Sequence, residues 1–211
     1  MTKLCLATPA ILHLIHDDEI YYAGNQEWYL EKWQRNAGCG PTNCSLLLWY
    51  LAKTRKECYQ LLDQHDLTKD SFLSLMEQVW HFVTPGKMGV HLPETLTNGG
   101  IAFAQQKNIA LEATILTLAK SPFCKQDLAN VETFLVEQLS NDLPVTFLNL
   151  SNGSLKNLDN WHWVSIISYD LESHVATIYD QSIIKDIDIK LWLETSLLKG
   201  SFASLKPKEK L

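Results

Sequence analysis

The chain has few of the residues that break or cross-link a polypeptide: its 211 residues include 9 Gly, 7 Pro and 5 Cys. So little Gly and Pro excludes collagen-like, low-complexity and disordered classes. The cysteines (Cys5, Cys39, Cys44, Cys58 and Cys124) are odd in number and sparse for this length, which argues against a disulfide framework and fits a reducing compartment. Long apolar runs are also missing. The longest, Leu46 to Ala52, falls far short of the roughly 20 residues a bilayer-crossing helix needs, so no integral membrane span is expected. The apolar stretch from Leu4 to Ile15 is interrupted by Pro9 and His13 and runs into His16-Asp17-Asp18-Glu19 without an Ala-x-Ala site. It therefore reads as mature protein, with a cytoplasmic location expected. Positive charge is not in excess: 18 Lys and Arg stand against 24 Asp and Glu, a net charge of −6, which argues against a nucleic-acid partner.

The chain is 46% hydrophobic, enough for one sizeable core, and the length fits a single domain over residues 1–205. The charged end, 206–211, is expected to fray. Helical composition or spacing predicts helices over Gln26 to Arg35, Thr42 to Lys53, Asp70 to Phe82 and Asp127 to Leu139. The second is apolar almost all round (Leu46, Leu47, Leu48, Tyr50, Leu51), as a buried helix would be, and Pro41 sits in its first turn. The pattern then turns to strands: Val145 to Leu148, a hairpin of Trp161 to Tyr169 with Val175 to Tyr179, and Ile184 to Ile189, before a last helix around Leu191 to Leu198. Helices first and antiparallel strands later indicate an α+β domain.

Cys39, in Asn36-Ala37-Gly38-Cys39-Gly40-Pro41, stands at the mouth of the buried helix. Unpaired N–H groups and the helix dipole there favour a thiolate, and flanking glycines leave a sulfur uncovered with backbone N–H groups near a developing oxyanion. A small buried core residue is the competing reading. His162 opens a strand in Trp161-His162-Trp163-Val164. A hairpin turn centred near residue 172 places it opposite Asp180 to Ser182, on the same face as Asp180, which can then hold the imidazole's tautomer. Gln34, five residues before Cys39, has an amide suited to an oxyanion hole, although an isolated Gln carries no signal.

Other candidates are weaker. His13-x-x-His16 with Asp17 and Asp18 offers metal-ligand residue types, but its surroundings suit core packing, and Cys44 lacks the further ligands a zinc pair needs. No metal or cofactor is expected. The seven tryptophans, Trp28, Trp33, Trp49, Trp80, Trp161, Trp163 and Trp192, read as core and cleft wall in so acidic a chain.

The order Gln34, Cys39-Gly40-Pro41, Pro144-Val145, His162-Trp163-Val164 and Tyr179-Asp180, spread over some 150 residues, resembles the papain-like cysteine peptidases. Within them it is most similar to the bacterial branch that includes double-glycine leader peptidases of bacteriocin exporters. The resemblance implies a papain-like fold with Cys39 as nucleophile, His162 as base and acid, Asp180 as orienting group and Gln34 in the oxyanion hole. Gly38 stands where that branch usually has a polar residue, and Gln181 where it commonly has Pro. The expected activity is hydrolysis of a peptide or small amide through an acyl-thioester on Cys39. Acyl transfer by the same site and a binding module without turnover are the alternatives, and the sequence leaves oligomeric state open.

Overall fold

The sixteen-residue helix α2 (Cys39–Thr54) has thirteen buried residues, so it lies inside the molecule as its all-round apolar sequence implies. A computed structural model describes residues 3–118 and 125–208 around it. Three helices accompany it in the N-terminal half: α1 (Lys32–Ala37), α3 (Lys69–Trp80) and α4 (Pro93–Gln106). Helices α5 (Lys125–Ser140) and α6 (Ile189–Thr195) belong to the second half. The fold is α+β, with an antiparallel sheet of seven strands.

That sheet runs β4 (Leu111–Thr117), β9 (Ser201–Pro207), β5 (Val145–Asn149), β6 (His162–Asp170), β7 (Val175–Asp180), β8 (Ile183–Asp188), and β1 (Lys3–Cys5) adds to the far end of β6. A separate hairpin pairs β2 (His13–His16) with β3 (Glu19–Tyr22). All of β5 and nearly all of β6 is buried, so this part of the sheet is covered on both faces. Helices α2 and α5 both pack against these two strands.

Three expectations change. The helix expected over Gln26 to Arg35 is broken in two: Asn25 caps a short 3-10 turn, Gln26–Trp28, and Glu31 starts α1 afresh with a capping box to Gln34. The tail expected to fray from 206 is sheet as far as it is described. Strand β9 continues to Pro207, Lys206 pairs with Glu112 at 3.0 Å, and the Lys208 N–H donates to the Ala110 carbonyl at 2.9 Å. Residues 209–211 lie outside the described residues, as does Cys124. The last helix ends at Thr195, and β9 follows it and inserts between β4 and β5.

The β6–β7 hairpin contains the feature on which the site depends. Near its turn, paired positions total 345 (Asp170 with Val175, Tyr169 with Ala176, Ser168 with Thr177); beyond a bulge at Ile167 they total 344 (Ile166 with Ile178, Ser165 with Tyr179). An odd total puts residues 162 and 180 on opposite faces, and an even one puts them on the same face. The bulge therefore brings His162 and Asp180 together.

Candidate active site

Cys39 is the first residue of α2, directly after Gly38, and its backbone N–H belongs to the turn that has no partner inside the helix. The flanking glycines serve close packing more than exposure. A Cβ on Gly40 would meet Val90 at 2.7 Å, and one on Gly38 would run into the Gln34 carbonyl. The helix mouth is tied to β6 by Asn43, whose Nδ2 donates to the carbonyls of Cys39 (2.9 Å) and Trp163 (2.8 Å) and whose Oδ1 accepts from Ser165 Oγ (2.6 Å). Trp163 in turn donates its indole N–H to the Val90 carbonyl at 2.6 Å, closing the packing around Gly40.

His162 and Asp180 are both buried, and His162 Nε2 lies 2.7 Å from Asp180 Oδ1. That contact leaves Nδ1 for the Cys39 sulfur, which interacts with the same ring. Burial works against a charged imidazole, yet the Asp180 bond, the sulfur and the two negative groups outweigh it and push the His162 pKa up to about 10. Burial likewise opposes charge on Asp180, but its bonds and ion pairs with His162 and then Lys185 hold the carboxyl below its ordinary range. Lys185 Nζ lies 2.7 Å from Asp180 Oδ2.

The turn after Asp180 is strained and pinned. Gln181 and Ser182 both take positive φ (50° and 66°) in a two-residue connection where glycine or asparagine is preferred. The segment 22–25 holds it: Tyr22 N–H donates to the Ser182 carbonyl, Asn25 Nδ2 to the Gln181 carbonyl, and Ser182 Oγ to the Ala23 carbonyl, at 3.0–3.1 Å. This stitching carries Gln26 into the cleft wall with Cys39, His162 and Asp180.

Gln34, the sequence candidate for the oxyanion hole, is employed elsewhere. Its Oε1 accepts from the Glu31 N–H in the α1 capping box, its Nε2 donates to Glu77 at 2.9 Å, and it lines neither hollow beside Cys39. Gln26 lines the inner one. Its Nε2 donates one hydrogen to the Arg35 carbonyl at 2.6 Å, which fixes the amide's orientation, while its buried Oε1 has no hydrogen-bond partner among the described residues. The sequence signal for Gln26 is Gly24-Asn25, a capped turn, which spacing from Cys39 does not weigh. Lys185 goes unweighed as well, although alternation after a two-residue turn places it diagonal to Asp180.

On its other side the sulfur borders a hollow of about 220 Å³, walled by Trp33, Met88, Val90, Leu148 and Trp161, with Asn36 and Lys87 also in its lining. Trp161 holds φ of 55°, unusual for so bulky a residue, immediately before His162. The tryptophans divide as expected between core (Trp49, Trp163 and Trp192 fully buried) and cleft wall (Trp33, Trp161). His13 and His16 sit three apart on strand β2, hence on opposite faces. His13 Nε2 is 2.9 Å from the Tyr179 hydroxyl, and His16 pairs with Asp17, so the two do not converge on one ion. No helix among the described residues is long and apolar enough to cross a membrane.

No family model and no curated protein matches the chain. Among solved structures, that of xylellain, a cysteine protease from Xylella fastidiosa, matches at 11% identity over 99% of this chain and 87% of that one, with a TM-score of 0.39, a likeness too slight to carry an argument.

Proposed function

We propose that this chain is a papain-like cysteine hydrolase that cleaves an amide bond, in a peptide or a smaller substrate, through an acyl-thioester on Cys39. One observation carries the reading: at the mouth of a buried helix, a half-buried cysteine meets a buried imidazole whose far nitrogen is bonded to a buried carboxylate at 2.7 Å. Cysteine hydrolysis asks for this set: a nucleophile, a proton carrier beside it and a third group that orients the carrier. The leader-peptidase branch rests on the motif resemblance alone and is not part of the proposal.

In the first half-reaction Cys39 Sγ, as thiolate, attacks the carbonyl carbon. The S–C bond forms as the carbonyl π pair moves onto oxygen. The Gln26 amide, through the hydrogen not given to Arg35, and the Cys39 backbone N–H are the proposed donors to that oxyanion. The oxyanion's pair then re-forms the carbonyl as the C–N bond breaks, the nitrogen takes the proton from His162 Nδ1, and the amine leaves the acyl group on Cys39 as a thioester. In the second half His162 takes a proton from water, the hydroxide adds to the thioester, and the C–S bond breaks to return the thiolate. An amine in place of water gives acyl transfer by the same steps. The tryptophan-walled hollow beside the sulfur receives the acyl portion of the substrate.

Iodoacetamide labelling of the native protein, read by peptide mass spectrometry, tests the site without a substrate. At neutral pH Cys39 should label on the order of 10² times faster than Cys44 or Cys58, which burial makes less acidic and closes to reagent. It should also outrun the exposed Cys5. Labelling of Cys39 no faster than Cys5 would remove the nucleophile from the proposal.

A further inference from the structure

Asp180 has two cationic neighbours, and the chemistry above employs one of them. Oδ1 meets His162 Nε2 and Oδ2 meets Lys185 Nζ, each at 2.7 Å. The β7–β8 register puts the second contact within reach. Asp180 pairs with Ile183 and Ile178 with Lys185, so Asp180 and Lys185 are diagonal neighbours on one face. The carboxylate is 1% exposed and the lysine side chain 22%, so the charge that Lys185 partners is a buried one rather than a surface one.

A buried carboxylate with a single cationic partner holds that partner's proton hard, because releasing it would leave a bare buried charge. A second cation relieves this. We propose that Lys185 is a positioning residue acting through Asp180: its ammonium pins the oxygen that His162 does not use and shares the carboxylate's charge, so that the imidazolium can give up its proton. The inference rests on the reading of the site given above, since it matters most in the step where the proton on His162 Nδ1 passes to the nitrogen of the breaking C–N bond. Alkylation of the thiolate has no such step. The other titratable group facing the imidazole is Cys39 from α2; Tyr179, one residue before Asp180 on β7, points to the other face of the sheet, where its hydroxyl is bonded to His13 of β2, and no substitution used in the test touches these three.

The experiment is an NMR titration of the His162 imidazole in the full chain labelled with ¹⁵N, its signal identified by its loss in His162→Gln. Lys185→Met should raise the His162 titration by about one pH unit, the scale of a removed charge near a buried partner. Lys185→Gln, uncharged but still a hydrogen-bond donor, should raise it in the same direction, which guards against misfolding of either variant alone. Lys185→Arg should leave it unchanged, and Asp180→Asn should lower it. Iodoacetamide labelling of Cys39 at neutral pH should stay within about twofold in Lys185→Met. A titration that does not move in the two uncharged variants, or falls as in Asp180→Asn, overturns the proposal and leaves Lys185 as mechanical support. The two readings separate cleanly: an unreactive Cys39 would defeat the proposed hydrolase, while the His162 titration would still decide the role of Lys185.

Discussion

Cys39 and Cys44 lie five residues apart on one helix, in opposite surroundings. Cys44 is fully buried, with its sulfur toward the Leu96 carbonyl and so close to Gly100 that a Cβ there would meet it at 2.9 Å; burial pushes its thiol well above the ordinary range. Cys39 stands half-buried at the helix mouth, between a tryptophan-walled hollow and a polar cleft that holds an imidazole and a carboxylate. Residue type is shared and so is the helix. What differs is that α2 begins where β6 and β7 present His162 and Asp180, whereas five residues on it faces α4. The proposed reactivity belongs to the junction between helix and sheet.

His162→Gln should break that contrast and give the largest effect. Burst acylation by an activated ester should fall by on the order of 10⁴ or more, because nucleophile and base act as a unit, and Cys39 should label like the exposed Cys5. The same variant exposes a pH signature. Since the folded-state pKa of His162 is raised to about 10 from 6.5, its contribution to stability is fully present below pH 6.5 and is lost as pH rises toward 10. In the proposed site the imidazolium stands beside a thiolate, so up to about pH 8.5 the folded pair holds as many protons as the unfolded thiol and neutral imidazole; urea unfolding should therefore show the wild type losing stability relative to His162→Gln between about pH 8.5 and 10, at up to about 1.4 kcal/mol per pH unit. A difference that stays flat up to pH 10 would mean His162 does not hold its proton in the folded protein.

The two glutamines sharpen the contrast at a smaller scale. Gln26→Ala should slow acylation by roughly 10²–10³, the loss typical of one oxyanion donor, while leaving alkylation of Cys39 intact, because alkylation builds no oxyanion. Gln34→Ala should do the reverse, leaving acylation near wild type and costing about 1 kcal/mol of stability through the lost capping box and Glu77 contact. If Gln34→Ala carried the kinetic loss instead, the assignment to Gln26 would fail.

This exchange shows where sequence reasoning reached its limit. Cys39, His162 and Asp180 were legible because each is tied to a strong local pattern: an apolar helix with proline in its first turn, and a hairpin whose turn sets the pairing. The same-face relation of His162 and Asp180 was reached from a turn position alone, and the bulge at Ile167 that makes it so left no sequence signal. Gln26 and Gln34 could not be ranked by spacing, because which one enters the cleft depends on the segment 22–25 docking on the Gln181-Ser182 turn some 156 residues away. Strand β9 was missed for a related reason. Its small residues, Ser201, Ala203 and Ser204, resemble a loop, and it is a strand because β4 and β5 supply hydrogen-bond partners on both sides. Contacts between distant segments decided what local pattern did not.

The smallest effect lies in that same turn. Gln181 is exposed and holds φ of 50°, a conformation that costs most residues roughly 1 kcal/mol and that asparagine tolerates better. Its contribution to the docking is through the backbone, since the carbonyl and not the side chain accepts from Asn25. Gln181→Asn should therefore raise stability by about 0.5–1 kcal/mol in urea unfolding, the relief of local strain, with no change in Cys39 labelling. Ser182→Gly relieves the same kind of strain but removes the hydroxyl that donates to Ala23, so it should gain less. If Gln181→Asn instead slowed labelling of Cys39, the Gln181 side chain would be acting within the cleft, and the boundary between the reactive junction and its supporting turn would move by one residue.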